Sequence, residues 1–372
     1  MREYLLVLLV AAGVTYISAN LARRLAFRYQ AVAQVRDRDV HTRPVPYFGG
    51  LAMLAGITGA LIVATNLPWL GRFELVQHDA RAVFWASVII CGVGVLDDVM
   101  DIRALAKLAG QVLAAGVVVL NGIKFYWIPL PNRIISLDEG SAIALAVFVI
   151  LVCVNAINFM DGLDGLAAGV VGIGAAAFFV YAYLLSYEQD LVRATTSSLV
   201  TVALVGVCLG FLPHNVHRAR MFMGDSGSML LGFLLATSMI SLTGQLDPSR
   251  IDATGSTLIS SYLPLLLPLA AMALPFIDLV SAYVRRTLAG RLWFQADKQH
   301  LHHRMLQLGH SHRAAVGLLW LWSGVIAFGV VIIGLTGAWW AWLGLVVGLL
   351  GAAALTFRTR ETGSTPVGAV DE

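Results

Sequence analysis

Long apolar runs separated by short polar segments make up almost the whole chain. A helix that crosses the hydrocarbon core of a bilayer needs about 20 apolar residues. The first run is followed directly by "RRLAFR" and not by a cleavage signal, so we interpret it as a membrane span. The pattern predicts an all-α, polytopic membrane helix bundle with about 11 transmembrane helices. The runs lie near 3–22, 48–66, 82–96, 104–120, 141–157, 166–185, 194–212, 227–243, 259–283, 314–333 and 337–357.

Composition agrees with this interpretation. Of the 372 residues, 58% are hydrophobic and 13% are charged, and the mean hydropathy is +0.79. These values exclude an ordinary soluble globular domain. We expect a single transmembrane domain over residues 1–357 and a disordered tail over residues 358–372, since no repeat or long linker interrupts the runs. The three cysteines fall within predicted spans, so no disulfide framework is expected.

The distribution of Lys and Arg predicts the orientation. If the segment after the first run is cytoplasmic, the loops on that side and the tail hold 18 of the 25 Lys and Arg residues. Cytoplasmic loops of membrane proteins carry such an excess of positive charge. We therefore expect the N-terminus outside and the C-terminus in the cytoplasm, where the tail would lie.

Polar residues that are costly in a membrane gather at the predicted cytoplasmic ends of the spans. Their number in a few short segments indicates a functional site more than ordinary helix ends. The segments are "LDDVMD" (Asp97, Asp98, Asp101), "NAINFMDGLDGL" (Asn155, Asn158, Asp161, Asp164), "FMGDSGS" (Asp225), "PFIDL" (Asp278) and "DKQHLHHR" (Asp297, His300, His302, His303).

The residue types of these segments indicate phosphate chemistry with a hard cation. On a helix, Asp101 would share a face with Asp97 and Asp98, and a cation would relieve their repulsion; three solvated carboxylates at a helix end are the alternative. Carboxylate and amide oxygens suit Mg²⁺ or Mn²⁺ shared with substrate phosphates. Asp225 precedes an apolar run in a Gly-flanked turn, so free N–H groups there would meet an anion.

The sequence favours roles other than metal binding for the histidines near the C-terminal end and for Asp278. "HLHHR" lacks a zinc-type spacing and lies beside Lys298 and Arg304, so contact with phosphate or sugar is favoured over zinc. His310 and His312 are interpreted as solvated loop residues. Asp278 is expected to pair structurally with Arg285 and Arg286 or with a nearby loop.

Four motifs together resemble a known family. "LDDVMD", "NAINFMDGLDGLAAG", "FMGDSGSMLLG" and "DKQHLHHR" are similar, in order and over nearly the whole chain, to the polyprenyl-phosphate N-acetylhexosamine-1-phosphate transferases (glycosyltransferase 4 family). "HLHHR" and the DDxxD form look like the WecA/TagO-type branch. The MraY-type branch typically has a "TPTMGG"-like segment, where this chain has "HTRPVPYFGG".

The resemblance implies a reaction and its setting. The WecA/TagO-type enzymes transfer GlcNAc-1-phosphate from UDP-GlcNAc to undecaprenyl or decaprenyl phosphate and release UMP. They open the membrane stage of cell-envelope glycan synthesis, such as that of lipopolysaccharide, teichoic acid or arabinogalactan. The implied location is the cell (inner) membrane, multi-pass, with the active site at the cytoplasmic face. A homodimer is implied, and no nucleic-acid partner is expected.

The resemblance also implies a role for each matching residue. The metal would be Mg²⁺, with Mn²⁺ as a substitute, held by Asp225 and Asn158. The implied catalytic residues are Asp97, Asp98, Asp161, Asp164, His300, His302 and His303. The implied substrate-binding residues are Lys107 for phosphate, Asn215 and Phe222 for uracil, and Arg304.

Several alternatives stay open from the residues alone. An MraY-type phospho-MurNAc-pentapeptide transferase shares the core motifs. An intramembrane prenyltransferase would explain "DDVMD" but not "FMGDSGS" or the His motif. A secondary transporter also keeps carboxylates in the membrane, usually near the midplane of repeated halves. Sequence also leaves open whether Asp97 or Asp98 acts on the lipid phosphate or attacks to form a phospho-enzyme.

Overall fold

The structure, a computed structural model, describes residues 1–33, 45–130, 133–188, 192–244, 266–288 and 301–358. Within these ranges the protein is a bundle of α-helices with two small antiparallel hairpins. The predicted all-α class is therefore confirmed.

The elements follow one another with short connections. The helices are α1 Arg2–Arg28, α2 Gly49–Asn66, α3 Glu74–Met100, α4 Ala104–Leu120, α5 Glu139–Met160, α6 Leu166–Glu188, α7 Val192–Asn215, α8 Gly224–Thr243, α9 Ala273–Leu288, α10 Leu301–Gln307, α11 His312–Thr336 and α12 Trp339–Phe357. The strands are β1 Val32–Ala33, β2 Val45–Pro46, β3 Trp127–Leu130 and β4 Arg133–Ser136. Strand β1 pairs with β2, and β3 pairs with β4.

Nine helices in the described part of the chain are long and apolar enough to cross a membrane. They correspond to nine of the eleven predicted runs. The run at 104–120 forms α4, which has only 17 residues. The run at 259–283 lies partly outside the described residues, and its end lies in α9. The orientation, the single domain and the tail beyond residue 358 stay predictions.

Helix α8 is the centre of the bundle. Every residue from Gly224 to Thr243 except Asp225 is buried, and α8 packs against α3, α5, α7 and α2. A helix that is apolar on all faces needs such an enclosed position. The one residue of α8 that escapes full burial is therefore a carboxylate in its first turn.

Small residues let neighbouring helices approach the start of α8. A Cβ atom on Gly94 of α3 would lie 2.3 Å from the Ser226 Cα, and one on Gly50 of α2 would lie 2.3 Å from the Ser226 carbonyl carbon. Glycine at such contacts allows helix backbones to pack closely in membrane proteins. The main chain of Gly50 also donates to the carbonyl of Met223. This packing brings the last turn of α3 onto the first turn of α8.

Candidate active site at one end of the bundle

Three carboxylate and amide side chains meet around one lysine where helices begin and end. Asp97 lies in the last turn of α3, Asn158 in the last turn of α5, Lys107 in the first turn of α4 and Asp225 in the first turn of α8. The Lys107 Nζ lies 3.0 Å from the Asp97 Oδ2 and also contacts the Asp225 Oδ2. The structure thus brings together residues that are as much as 128 positions apart in sequence, as the predicted site requires.

Asn158 holds the second oxygen of Asp225. Its Nδ2 donates to the Asp225 Oδ1 at 2.9 Å and to the Ser228 hydroxyl at 2.9 Å. The amide therefore faces the carboxylate with its nitrogen. In this arrangement Asn158 orients Asp225, and its amide oxygen, the atom that a cation would need, points elsewhere.

Asp98 contacts the main chain of α8. Its two carboxylate oxygens accept the N–H groups of Asp225 at 2.7 Å and of Ser226 at 3.2 Å. These are donors that the first turn of a helix leaves unpaired. The prediction that the N–H groups of this turn are free for an anion is therefore wrong, because the protein supplies the anion itself.

The glycine before Asp225 is required for this contact. Gly224 has a φ of +68°, a left-handed conformation, and a Cβ atom there would lie 2.5 Å from the Asp98 Oδ2. Glycine adopts this φ without the steric cost that other residues meet. The glycine of "MGD" thus lets the carboxylate of α3 reach the start of α8.

The predicted face of three carboxylates on α3 does not form. Asp101 ends the helix with a φ of +48° and is exposed, so it has left the helical face that Asp97 would share with it. The Oδ1 of Asp97 instead accepts the N–H of Ile102 at 3.1 Å. The side chains of Asp97 and Asp98 therefore have separate partners, while Asp101 contacts Asp97 through its main-chain N–H, which donates to the Asp97 carbonyl.

Asp161 lies just beyond the end of α5 and is half-buried. Burial raises the pKa of its carboxyl to about 7, and the carboxylates of Asp98 and Asp164 act in the same direction. Asp161 is therefore close enough to both Asp98 and Asp164 for each of their charges to affect it. Asp161 is thus poised to change its charge near neutral pH.

A second cluster surrounds Asp164. Its buried carboxylate accepts the N–H of Ala219 at 3.0 Å, and its Oδ2 lies 3.2 Å from the Nδ1 of His217. The main-chain N–H of Asp164 donates to the Nε2 of His312 at 3.2 Å. The two imidazole rings stack with centroids 4.5 Å apart. Sequence reasoning named Asp164 and missed both histidines.

The interpretation of His310 and His312 as solvated loop residues is wrong. The His310 Nε2 lies 2.7 Å from the carbonyl oxygen of Thr356 in α12, and His312 belongs to the cluster around Asp164. His312 is the first residue of α11, which Ser311 caps by accepting the N–H of Ala314. The only signal in the sequence is this helix start, because His217 and His312 are 95 residues apart.

Asn215 braces the main chain between the two clusters. It is buried, its Oδ1 accepts the N–H of Gly165 at 2.9 Å, and its Nδ2 donates to the carbonyl of Met221 at 3.0 Å. Both ends of the amide are therefore occupied by the protein. Phe222 is half-buried beside Tyr47, with ring centroids 6.1 Å apart. The roles implied for Asn215 and Phe222 toward uracil stay predictions.

The His motif is described only in part. His300 lies outside the described residues, and the structure does not describe the side chain of His302. His303 and Arg304 lie in α10, whose first main-chain N–H, that of Leu301, donates to the Asp278 Oδ1 at 2.8 Å. Asp278 thus pairs with the neighbouring segment, one of the two outcomes predicted for it.

The donor set suits a hard divalent cation. Four carboxyl groups lie near one end of the bundle, those of Asp97, Asp98, Asp161 and Asp225. The ammonium of Lys107 is in direct contact with two of them, Asp97 and Asp225. Mg²⁺ is usually held by one or two carboxylates together with substrate phosphates. Asp225 and Asp97 fit this requirement, because the ammonium of Lys107 already bridges their oxygens.

Comparisons with known proteins agree with these motifs. The family model of glycosyl transferase family 4 matches residues 80–243. The decaprenyl-phosphate N-acetylglucosaminephosphotransferase of Mycobacterium leprae (strain TN) is 43% identical over 375 residues, which cover 100% of this chain and 88% of that protein. A probable undecaprenyl-phosphate N-acetylglucosaminyl 1-phosphate transferase of Bacillus subtilis (strain 168) is 32% identical, over 85% of this chain and 81% of that protein. The phospho-N-acetylmuramoyl-pentapeptide-transferase of Mycobacterium leprae (strain TN) is 29% identical, over 92% of this chain and 100% of that protein.

Proposed function

Because the chain belongs to glycosyl transferase family 4, we propose that it transfers GlcNAc-1-phosphate from UDP-GlcNAc to a polyprenyl phosphate. The products are polyprenyl-diphosphate-GlcNAc and UMP. The observation that carries this proposal is the 43% identity to a decaprenyl-phosphate N-acetylglucosaminephosphotransferase over the whole chain. The identity to the pentapeptide transferase of Mycobacterium leprae (strain TN) is lower, at 29%. This difference favours a sugar donor without a peptide.

Decaprenyl phosphate is the acceptor that we favour. The relative named for the decaprenyl acceptor is 43% identical, whereas the one named for the undecaprenyl acceptor is 32% identical. Both lipids carry the same phosphate and differ in the length of an apolar tail. The chemistry at the phosphate is therefore shared, and the choice between the tails is open to direct measurement.

The bond changes define what the site must do. An oxygen of the lipid phosphate forms a bond to the β-phosphorus of UDP-GlcNAc, and the bond from that phosphorus to the oxygen of UMP breaks. Such a phosphoryl transfer depends mainly on positioning and charge stabilisation, and asks for little covalent chemistry from the protein. A Mg²⁺ ion bound at Asp225 and Asp97 would neutralise charge on the diphosphate.

Residues of this chain account for the positioning. Lys107 supplies a positive charge beside Asp97 and Asp225, and on substrate binding its ammonium is available to a phosphate. Asn158 keeps the Asp225 carboxylate in one orientation through a 2.9 Å hydrogen bond. The lipid phosphate, with a second pKa near 6, is largely dianionic at neutral pH. It therefore needs no strong base to become a nucleophile.

The contacts of Asp98 favour direct transfer over a phospho-enzyme. Both of its oxygens accept main-chain N–H groups of α8, so a nucleophilic attack by Asp98 would break the cap of that helix. Asp97 is paired with Lys107 and Ile102. We therefore assign Asp98 a positioning role, through the Asp225 main chain, and assign Asp97 to the cation and phosphate side of the site.

The location of the clusters supports a reaction at the membrane surface. Their residues lie where α3, α5 and α7 end and where α4, α6 and α8 begin. At the membrane surface a lipid phosphate can meet a nucleotide sugar while the lipid tail stays in the bilayer and the nucleotide stays in water. We place this end at the cytoplasmic face of the cell membrane, on the basis of the Lys and Arg distribution.

A donor comparison with the purified protein tests the proposal. UDP-GlcNAc, UDP-GalNAc and UDP-MurNAc-pentapeptide are each supplied with decaprenyl and with undecaprenyl phosphate, and UMP and lipid-linked product are measured. We expect UDP-GlcNAc to be the preferred donor. Preference for the pentapeptide donor would contradict the substrate assignment and leave the family intact. Absence of UMP release with every donor would contradict sugar-1-phosphate transfer itself.

A further inference from the structure

Helix α4 carries two polar side chains in an otherwise apolar sequence. They are Lys107 and Gln111, which are four residues apart and therefore lie one turn apart on the same face. Lys107 is half-buried, whereas Gln111 is buried one turn deeper in the bundle, with 1% of its surface exposed. A buried amide is costly unless its polar atoms are hydrogen-bonded. The contacts of Gln111 therefore show what this amide does.

Gln111 joins α4 to two neighbouring helices. Its Oε1 accepts a hydrogen bond from the Asn155 Nδ2 of α5 at 2.9 Å, and its Nε2 donates to the Met229 Sδ of α8 at 3.2 Å. Asn155 precedes Asn158 by three residues, and Met229 follows Asp225 by four, so each partner is about one helical turn from a residue of the site. Since α4 and α8 begin at the site and α5 ends there, the amide links the same three helices one turn deeper.

Helix α4 lies at the edge of the bundle and is held from one side. Leu105 and Leu113 are exposed on the side that faces away from the bundle. On the other side Gly110 packs against α3, where a Cβ atom on Gly110 would lie 2.4 Å from the Val93 Cγ2. This close packing sets the spacing between α4 and α3. Gln111 adds directed hydrogen bonds to α5 and α8, and buried polar contacts of this kind fix the register between helices.

We propose that Gln111 is a positioning residue for Lys107, acting through the register of α4 against α5 and α8. The inference rests on the function proposed above, in which the Lys107 ammonium is available to a substrate phosphate. Lys107 lies in the first turn of α4, with its Nζ in contact with both Asp97 and Asp225. A slide or rotation of α4 would move the ammonium away from these carboxylates. Gln111 opposes both movements, because it is bonded to two helices at once.

A purely structural role for Gln111 is the alternative. Its hydrogen bonds would then stabilise the packed helices, and their loss would lower the melting temperature without a specific effect at Lys107. The two roles differ in energetic coupling, because the effects of residues that act through one group are not additive. A change at Gln111 should therefore reduce activity only while Lys107 is present.

Gln111→Met, Lys107→Met and the double variant test this coupling in the full-length protein. Methionine keeps the length of glutamine and removes the amide. Steady-state rates are measured with UDP-GlcNAc and decaprenyl phosphate. We expect Gln111→Met to lower kcat/KM on the order of 10-fold, because a small misplacement of a positioned group is costly, and the double variant to be no slower than Lys107→Met. Equal fractional losses in both backgrounds, or wild-type kinetics in Gln111→Met, would overturn the proposal.

Cross-linking measures the position of residue 107 without any activity. Lys107→Cys and Asp225→Cys are introduced together, and a short bifunctional thiol reagent joins the new cysteines, while the three native cysteines are buried. We expect the added change Gln111→Met to slow cross-linking several-fold. An unchanged rate would contradict the positioning role. Absence of UMP release from the wild-type protein would instead contradict the proposed function, and cross-linking would still decide the role of Gln111.

Gln77→Met is the matched control. Gln77 is a half-buried glutamine near the start of α3, at the end of that helix away from the site, and its Nε2 contacts the Gly71 carbonyl. This variant should retain wild-type kinetics and cross-linking, and losses equal to those of Gln111→Met would refute a specific role for Gln111. Thermal melts establish that each variant is folded. Asn155→Leu removes the donor to Gln111 and replaces Gln111→Met if that variant fails to fold.

Discussion

Asp98 of α3 caps the first turn of α8 by accepting the main-chain N–H groups of Asp225 and Ser226. The carboxylate therefore fixes the position of the residue to which we assign the metal. A change at Asp98 acts on the Asp225 main chain before it acts on any substrate.

Asp98→Asn should impair both folding and turnover. One oxygen becomes an NH₂ group that cannot accept, so the cap is weakened by about 1 kcal/mol, and the kcat should fall on the order of 100-fold because the metal site is displaced. Thermal melts and steady-state rates with UDP-GlcNAc measure the two effects. Asp101→Asn is the matched control, since Asp101 is exposed and outside the helix. Equal losses in both variants would contradict the assignment.

Asp225→Asn should abolish transfer while the chain still folds. The amide keeps the shape of the carboxylate and loses the charge that would hold a divalent cation. Activity of the wild-type protein should also vanish in EDTA and return with Mg²⁺ or Mn²⁺. Full activity in chelator would argue against a metal at this position.

Lys107→Met should raise the KM for the nucleotide sugar and lower the kcat, because two carboxylates and a phosphate lose their common cation. The side chain keeps a similar length and apolar stem, so packing against α3 changes little. Lys124→Met serves as a comparison, since Lys124 pairs with the exposed Glu139 away from the clusters. Wild-type kinetics in Lys107→Met would remove Lys107 from the site.

Gly224→Ala should be destabilising through two effects. A left-handed conformation costs a non-glycine residue about 1 to 2 kcal/mol, and the new Cβ would lie 2.5 Å from the Asp98 carboxylate. Gly116→Ala in α4 is the matched control, because a Cβ there meets no atom within 4 Å. We expect a lower melting temperature and lost activity for Gly224→Ala alone. A melting temperature at or above that of the wild type would show that the close contact is not needed.

The charge of Asp161 predicts how stability depends on pH. Its pKa in the folded protein is about 7, above the ordinary value of about 3.9, so between these values the folded state binds the extra proton. Stability from this group is complete below about pH 4 and is lost as the pH rises through about 7. The melting temperature of the metal-free protein should therefore fall from about pH 5 to about pH 8.

Asp161→Asn should flatten that dependence. Asp138→Asn is the control: the hydrogen bonds from Ser141 lower the pKa of Asp138, so this carboxyl stays ionised over the same range. Its removal should leave the slope unchanged. An equally steep fall in Asp161→Asn would assign the pH dependence to another group.

The sequence predicts the helices well because each span must be apolar along its whole length. It predicts which polar residues gather at one end for the same reason, since Asp97, Asn158 and Asp225 are costly anywhere else. The residues that these side chains contact are harder to predict from the sequence. Whether Asp98 faces a substrate or a helix start depends on the left-handed turn at Gly224, which periodicity does not encode.

The second cluster shows the other limit of sequence reasoning. His217 lies in the loop after α7 and His312 at the start of α11, with no spacing pattern between them, and they meet because Asp164 contacts both. The contacts of Asn215 with the main chain of Gly165 and Met221 likewise have no signal in the sequence, and its role toward uracil stays a prediction. Long-range contacts of this kind require the packed structure.

The enclosure of α8 also sets how freely different parts of the protein tolerate mutation. All but one of its residues are buried, so a larger side chain on any face must displace a neighbouring helix, and a smaller one leaves a void. Helix α12 is the opposite case, since only 17% of its apolar window is buried in the bundle. In a deep mutational scan, α12 should therefore accept most apolar exchanges, whereas α8 should reject even conservative changes of volume along its whole length.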